Sequence, residues 1–342
     1  MRRKVTLQDV ADHAAVSKST VSQYLNGRFT YMGEETKHRI EKAVKELKYQ
    51  PNVIARSLKQ KKTTTIGVIM ANILHRFSTQ TSRAIEDFFH SQGYHVILCN
   101  ADDDPQKEQQ YIEMLKAKQV DGFIIFPTAS NEEMYKSLLD ENYPLVFLDR
   151  KVKALPVPTI CLDNQDAMER SIQHLKEEGS ERIAYVSSDL TISPRSERYE
   201  GLLAALKRLK MPVNNQWIYT DSLEDVEMFL EKVFDGEEIP EAIMASNDRS
   251  LMRILSFLKK KYNGIPPTLS LMTIDEVEFA ELYSPRITTM EQPAFAMGKK
   301  AAEVLLEQIN GNKAEDMKLL YEFEGNLNIR ESSKIRGGIY HD

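Results

Sequence analysis

From residue 64 onward the chain alternates short apolar runs with longer amphipathic stretches, and this alternation restricts the fold more than any other feature. The runs "IGVIM", "HVILCN", "GFIIFP" and "LVFLD" are strand-like and each neighbours a segment with helical spacing of apolar positions. The pattern returns in "RIAYVSS", "AIMAS" and "LSLMTID". Strand–helix alternation predicts parallel sheets with helices on both faces. About 270 residues exceed one comfortable hydrophobic core, so two similar α/β subdomains with a ligand cleft between them are expected.

The charge is divided unevenly. Residues 1–62 hold 14 Lys and Arg against 6 Asp and Glu, a net of +8, and the rest of the chain carries −14 of a total of −6. A basic head on an acidic body predicts that the head binds a polyanion. The head also has helical periodicity, which a solvated tail lacks. Thr6 and Asp9 form a capping-box start for a helix with Leu7, Val10, Ala11 and Ala14 on one face. After a tight turn through Ala15 and Val16, Ser17 caps a second helix. Val21, Tyr24 and Leu25 share its inner face; Lys18, Ser19, Ser22 and Gln23 share the outer one. Asn26-Gly27 ends it, and a third helix follows with Ile40, Ala43, Val44 and Leu47 in register. Two short helices joined by a tight turn and braced by a third make a helix-turn-helix module. Its second helix is expected to enter the major groove, where small hydroxyls and an amide read base edges while Lys and Arg meet phosphates.

The segments "VTLQDVADHAAVSKSTVSQYLNG", "YQPNVIARSLKQKKTTTIGVI", "VDGFIIFP", "VFLDR", "ASND" and "TTMEQP" resemble the LacI/GalR family of bacterial transcription regulators, from about residue 5 to residue 332. The chain as a whole is similar to regulators of 2-keto-3-deoxygluconate and pectin-derived sugar acids. The resemblance implies an α/β chain with a helix-turn-helix head at 1–51 and a hinge at 52–63. A two-lobed periplasmic-binding-protein-like body of doubly wound parallel sheets then occupies 64–332, crossing between lobes near 162, 290 and 323, and a tail follows at 333–342. It places Lys18, Ser19 and Gln23 at base-reading positions, with Gln23 where arginine is usual, so an amide contact replaces an Arg-to-guanine contact. The implied DNA-contacting set is Thr6, Lys18, Ser19, Thr20, Ser22, Gln23 and Asn26, with Asn52, Ala55 and Leu58 from a hinge that folds on DNA. Leu58 matches a leucine that wedges into the minor groove, and Arg56, Lys59, Lys61 and Lys62 adjoin it.

For the body, the resemblance implies an effector site of Phe77, Asp149, Arg198, Asn247 and Asp275. An Arg, an Asn and two Asp suit a polyol gripped by charge-assisted hydrogen bonds. Arg150 and Arg195 add positive charge beside them, as does Arg76, which hints at an anionic ligand such as a sugar acid or phosphosugar. Ser78 falls where a second aromatic is common. Thr273 replaces a usual glycine and is expected to narrow the cleft.

The expected function is therefore a repressor of carbohydrate utilisation genes that binds pseudo-palindromic double-stranded operator DNA under control of a sugar or sugar-acid effector. Control by a phosphorylated partner protein is the alternative. No Walker loop, GxGxxG after the first strand, GxSxG or HExxH is present, so an enzyme is not expected, and neither is a cofactor. The acids of "ADDDP" precede a helix, where capping accounts for them. Cys99 and Cys161 lack metal-ligand spacing and are expected to be buried thiols. "MRRKVTLQDV" lacks a signal peptide's apolar segment and no run reaches the roughly 18 residues of a membrane helix, so a cytoplasmic protein is expected, with no membrane partner. Some members of the resembled family form tetramers through a C-terminal leucine heptad; "NIRESSKIRGGIYHD" has none, so the resemblance implies a homodimer.

Overall fold

Thr6 opens the first helix, α1 (Leu7–His13), by a reciprocal capping box. Its hydroxyl accepts from Asp9 N at 3.3 Å, and its own N–H donates to the Asp9 carboxylate at 2.7 Å. Ala15 at φ 50 turns the chain sharply into α2 (Lys18–Leu25), whose first turn is capped by the Ser17 hydroxyl accepting from Thr20 N at 3.1 Å. Gly27, at φ 68, leaves the helix in a conformation that costs glycine nothing. In α3 (Glu34–Glu46), Glu34 and Glu35 occupy the first turn, where their charge complements the helix dipole. Val10, Ala11, Val21 and Ile40 are fully buried between the three helices. The computed structural model describes residues 5–49, 63–128, 130–152, 155–312 and 317–334. The hinge positions Asn52, Ala55 and Leu58, with Arg56, Lys59, Lys61 and Lys62, lie outside those residues.

The chain divides into two compact units, Met1–Thr63 and Thr64–Asp342. The second unit begins as β1 (Thr65–Met70), α4 (Arg76–Ser91), β2 (His95–Asn100), α5 (Pro105–Ala117), β3 (Gly122–Ile125), α6 (Glu132–Asp140), β4 (Leu145–Leu148) and β5 (Thr159–Leu162). It continues as α7 (Asn164–Glu177), β6 (Ile183–Ser187), α8 (Ser193–Arg208), β7 (Ile218–Thr220), α9 (Val226–Phe234), β8 (Ala242–Ala245), α10 (Asp248–Tyr262), β9 (Ser270–Ile274) and β10 (Thr288–Glu291). Then come α11 (Ala294–Ile309), β11 (Leu320–Phe323) and β12 (Asn326–Asn328). Two six-stranded sheets result, ordered β11-β5-β4-β3-β1-β2 and β12-β10-β9-β8-β6-β7. The first is parallel throughout; in the second only β12 runs antiparallel.

Central strands such as β3, β4 and β8 are buried at every residue, which is why their sequences are continuously apolar. In the first lobe α4 and α11 cover one face of the sheet, and α5 and α6 cover the other. In the second, α7 and α8 cover one face, and α9 and α10 the other. Helices α4 and α11 approach so closely that a Cβ on Gly298 would stand 2.5 Å from Thr81 O. Backbone passes between the lobes at 163, at 292–293 and at 324–325. After β12, Ser332 and Ser333 are buried in the second lobe, where the Ser333 hydroxyl lies 2.8 Å from His174 Nε2 and 2.8 Å from the Thr288 hydroxyl.

Candidate nucleic-acid interface and ligand cleft

On the head, Thr6, Lys18, Ser19, Gln23 and Asn26 are exposed, while Thr20 and Ser22 are half-buried. Not all of the hydroxyls stand alone. Ser17 Oγ lies 2.7 Å from both Ser19 Oγ and Thr20 Oγ1, so the capping serine also orients its neighbours. The Asn26 amide donates to Ser22 O at 2.7 Å. Lys18 and Gln23 are thus left as the long side chains projecting from α2. The turn after α2 adds an aromatic feature that no local sequence period marks. Phe29 packs edge-on to Tyr24 at 5.8 Å and lies beneath Lys37 Nζ at 4.8 Å, and Tyr31 beside it is fully exposed.

In the body, Phe77, Asp149, Arg150, Arg195, Arg198, Asn247 and Asp275 line one cleft, together with Ala71, Asn72, His75, Ser78, Phe126, Ile192, Pro194 and Gln292. The cleft encloses about 520 Å³, including space open to solvent. Asp149 follows β4, Asn247 lies just past the end of β8 and Asp275 follows β9, so the sheets aim these side chains at the switch-point crevice. Asp149 (φ 72) and Asp275 (φ 78) are left-handed, a conformation aspartate tolerates better than most residues.

Arg198 is buried; its Nε donates to Asn164 Oδ1 at 2.8 Å and its Nη1 to Ser246 O at 2.7 Å. Asp275 Oδ2 is 4.0 Å from that Nη1, too far for a direct bond, and Oδ1 accepts from Gln292 Nε2 at 2.6 Å. Burial raises the Asp149 and Asp275 carboxyls above their ordinary range, against the pull of the nearby arginines. Arg150 donates to Pro127 O at 3.1 Å and to Asp103 Oδ1 at 2.7 Å. Burial would raise the Asp103 carboxyl, but Arg150 holds it below its usual value. Capping therefore accounts for only one acid of the triplet: Asp104 accepts from Gln106 N at 2.8 Å, whereas Asp103 anchors Arg150 and Asp102 pairs with Lys107.

Four polar contacts span the lobes around this cleft. His75 Nδ1 meets Asp248, Arg76 Nη1 is 3.4 Å from Glu291 Oε1, Lys151 Nζ is 3.0 Å from Glu197 Oε1, and the Lys151 N–H donates to Ser193 Oγ at 2.7 Å. Arg76 does not line the cleft, and neither does Thr273, which is buried with its hydroxyl donating to Ile274 O at 2.6 Å. Cys99 and Cys161 are free and buried, and burial pushes the Cys161 thiol up to about 12, far from a nucleophile's range. No cluster of three or more His, Cys, Asp or Glu able to hold a metal occurs among the described residues. None of their helices is long and apolar enough to cross a membrane.

Residues 6–52 match the model for bacterial regulatory proteins of the lacI family, and residues 63–324 match that for periplasmic binding proteins and the sugar binding domain of the LacI family. The chain belongs to the LacI family. This LacI-family chain is a DNA-binding transcription regulator, not an enzyme. It is 43% identical over 332 residues to the "Probable HTH-type transcriptional regulator EndR" of Paenibacillus polymyxa, covering 96% of this chain and 98% of that one. It is 32% identical to the HTH-type transcriptional regulator KdgR of Bacillus subtilis, covering 96% and 97%. In fold it is similar to the Lac repressor dimer bound to operator and the anti-inducer ONPF, with a TM-score of 0.84 at 22% identity, covering 97% and 100%.

Against that background, the LacI-family cleft holds residues that the motifs did not single out. His75 and Gln292 line it directly, and Asn164, Ser246 and Asp103 position its arginines. Gln292 sits inside the quoted "TTMEQP", so its signal was present as a polar residue directly after a strand.

Proposed function

We propose that this regulator is a repressor of carbohydrate utilisation genes that binds a pseudo-palindromic operator as a homodimer. Its affinity for the operator is set by a small polyhydroxylated effector, a sugar or sugar acid, held between the lobes. The head (1–51) reads DNA through Lys18, Ser19, Gln23 and their neighbours. The hinge (52–63), with Asn52, Ala55 and Leu58, couples head to body by folding on DNA. The body (64–332) binds effector and dimerises, ahead of a tail at 333–342. Such a protein works in the cytoplasm, where its operator is.

The observation that carries the effector reading is the gap between Arg198 and Asp275. Arg198 Nη1 and Asp275 Oδ2 stand 4.0 Å apart at the cleft, each held by other partners, in a geometry that a hydroxyl bridges by accepting from one and donating to the other. Phe77 and Asp149 face the same cleft from the first lobe. A ligand touching both lobes favours one closure angle over others, and only such differential affinity shifts the DNA-binding equilibrium.

The test is selection of an operator by the purified full chain, followed by titration of that complex with sugars and sugar acids. Wild type is expected to respond to at least one compound. Arg198→Gln and Asp275→Asn are expected to need roughly ten- to a hundredfold more of it, the loss of one charge-assisted contact. Both variants responding at wild-type concentrations rules out this cleft. Response to no compound, with response to a phosphorylated carrier protein instead, moves control to a protein partner.

A further inference from the structure

Two residues that line the cleft, Arg150 and Gln292, each carry a buried side-chain atom without a hydrogen-bond partner, and the two atoms are of opposite kind. Arg150 Nε is a donor; its neighbour Asp149 Oδ2 is 3.7 Å away, beyond bonding distance. Gln292 Oε1 is an acceptor, and its orientation is fixed because Nε2 must face Asp275 Oδ1. A ligand that satisfies both atoms has to supply an acceptor to the first and a donor to the second.

The surroundings of Arg150 specify the acceptor further. Its side chain is 9% exposed, yet it holds a full charge at the cleft wall. Ile192, Pro194 and Arg195, at the start of α8, line the same cleft. That sixteen-residue helix has no side-chain cap and no acidic residue in its first turn, so its positive end faces the cleft uncompensated. Burial depresses the Arg195 pKa, and the charge of Arg150 depresses it further against the opposing pull of Asp189. Two guanidiniums, one from each lobe, therefore repel each other at one crevice.

We propose that the effector is a polyhydroxylated monocarboxylate whose carboxylate is clamped between Arg150 of the first lobe and Arg195 at the start of α8, while one of its hydroxyls donates to Gln292 Oε1. The inference rests on the reading of this cleft as the effector site. A single negative charge fits better than a dianion, because Arg150 already meets Asp103 and Arg195 already meets Asp189. The clamp also explains how binding is coupled to motion. Without an anion the two guanidiniums resist approach of the lobes, and with one they are both drawn to it.

Calorimetric titration of the full chain with D-gluconate, D-galacturonate, D-glucose, D-galactose and D-glucose 6-phosphate separates the possibilities. At least one acid is expected to bind about tenfold or more tightly than its neutral counterpart and than the phosphate. Arg195→Gln is expected to weaken that acid by roughly ten- to a hundredfold and to leave the neutral sugar's affinity nearly unchanged, with thermal melting to verify its fold. Gln292→Leu is expected to weaken acid and neutral sugar alike. Neutral sugars binding as tightly as the acids, the phosphate binding most tightly, or no acid binding at all overturns the proposal. A neutral sugar or phosphate that binds and also shifts operator affinity leaves the cleft as effector site and removes only the acid. If compounds bind but none alters operator affinity, the effector reading itself fails.

Discussion

His75 Nδ1 lies 2.8 Å from one carboxylate oxygen of Asp248 and 2.9 Å from the other, and the contact joins the residue before α4 in the first lobe to the first residue of α10 in the second. Burial opposes a charged imidazole here, but the hydrogen bond and charge of Asp248 outweigh it and raise the His75 pKa above 6.5. A base with a raised folded-state pKa stabilises the folded form fully below its ordinary value, and that contribution is lost as pH rises through the raised one. The melting temperature of wild type minus that of His75→Gln is therefore expected to be largest below pH 6.5 and to shrink above it. A difference that grows with pH contradicts the pairing.

His174 provides the opposite sign in the same molecule. Burial lowers its pKa below 6.5, and its Nε2 lies 2.8 Å from Ser333 Oγ inside the second lobe. A depressed base contributes stability above the unfolded value that is lost as pH falls toward the folded one. Wild type is expected to lose melting temperature below pH 6.5 more steeply than His174→Gln does. Parallel curves remove His174 as the cause.

Gly298→Ala is expected to destabilise the first lobe by about 1–3 kcal/mol, the usual cost of overpacking. The new methyl would press on Thr81 O, a backbone atom that cannot rotate away. Urea unfolding monitors it, and a wild-type midpoint means that α4 and α11 part more easily than their packing suggests.

Ser17→Ala removes the cap of α2 and the oxygen that orients Ser19 and Thr20. Loss of a cap costs about 1 kcal/mol of helix stability, so operator affinity is expected to fall several-fold. Gln23→Ala is expected to act differently, relaxing preference at one base pair per half-site by about 1–3 kcal/mol. Binding to a panel of base-substituted operators distinguishes the two, since the first change lowers affinity for every operator in the panel and the second alters the ranking of bases at one position only.

The fold class was legible in the chain because its signals are local. Runs such as "GFII" and "AIMA" are apolar at every position since both faces of their strands are covered, and Thr6, Asp9 and Ser17 cap helices within three residues. The five body residues named from family motifs line one cleft with Arg150 and Arg195, the two arginines added for their charge, and three of the five follow strand ends that an apolar run announces. What escaped notice depends on pairings distant in sequence. His75 gains its partner from 173 residues away, Asp103 meets Arg150 across 47, and no local period marks either. The acids of "ADDDP" show the limit well: their position before a helix suggested one common role, yet the three side chains do three different things.

The three passages of backbone between the lobes have a consequence for biosynthesis. The first lobe starts the body, but its α11 and β11 come from residues 294–323, after nearly all of the second lobe. On a ribosome, β1 to β5 must therefore wait with one face uncovered by α11 and the edge of β5 unpaired, while β6 to β10 can already assemble. The lobe made first is the one finished last, and the interval between the two is when a nascent chain exposes Ile124, Val146, Leu148 and Ile160, the apolar side chains of β3, β4 and β5 that α11 later shields.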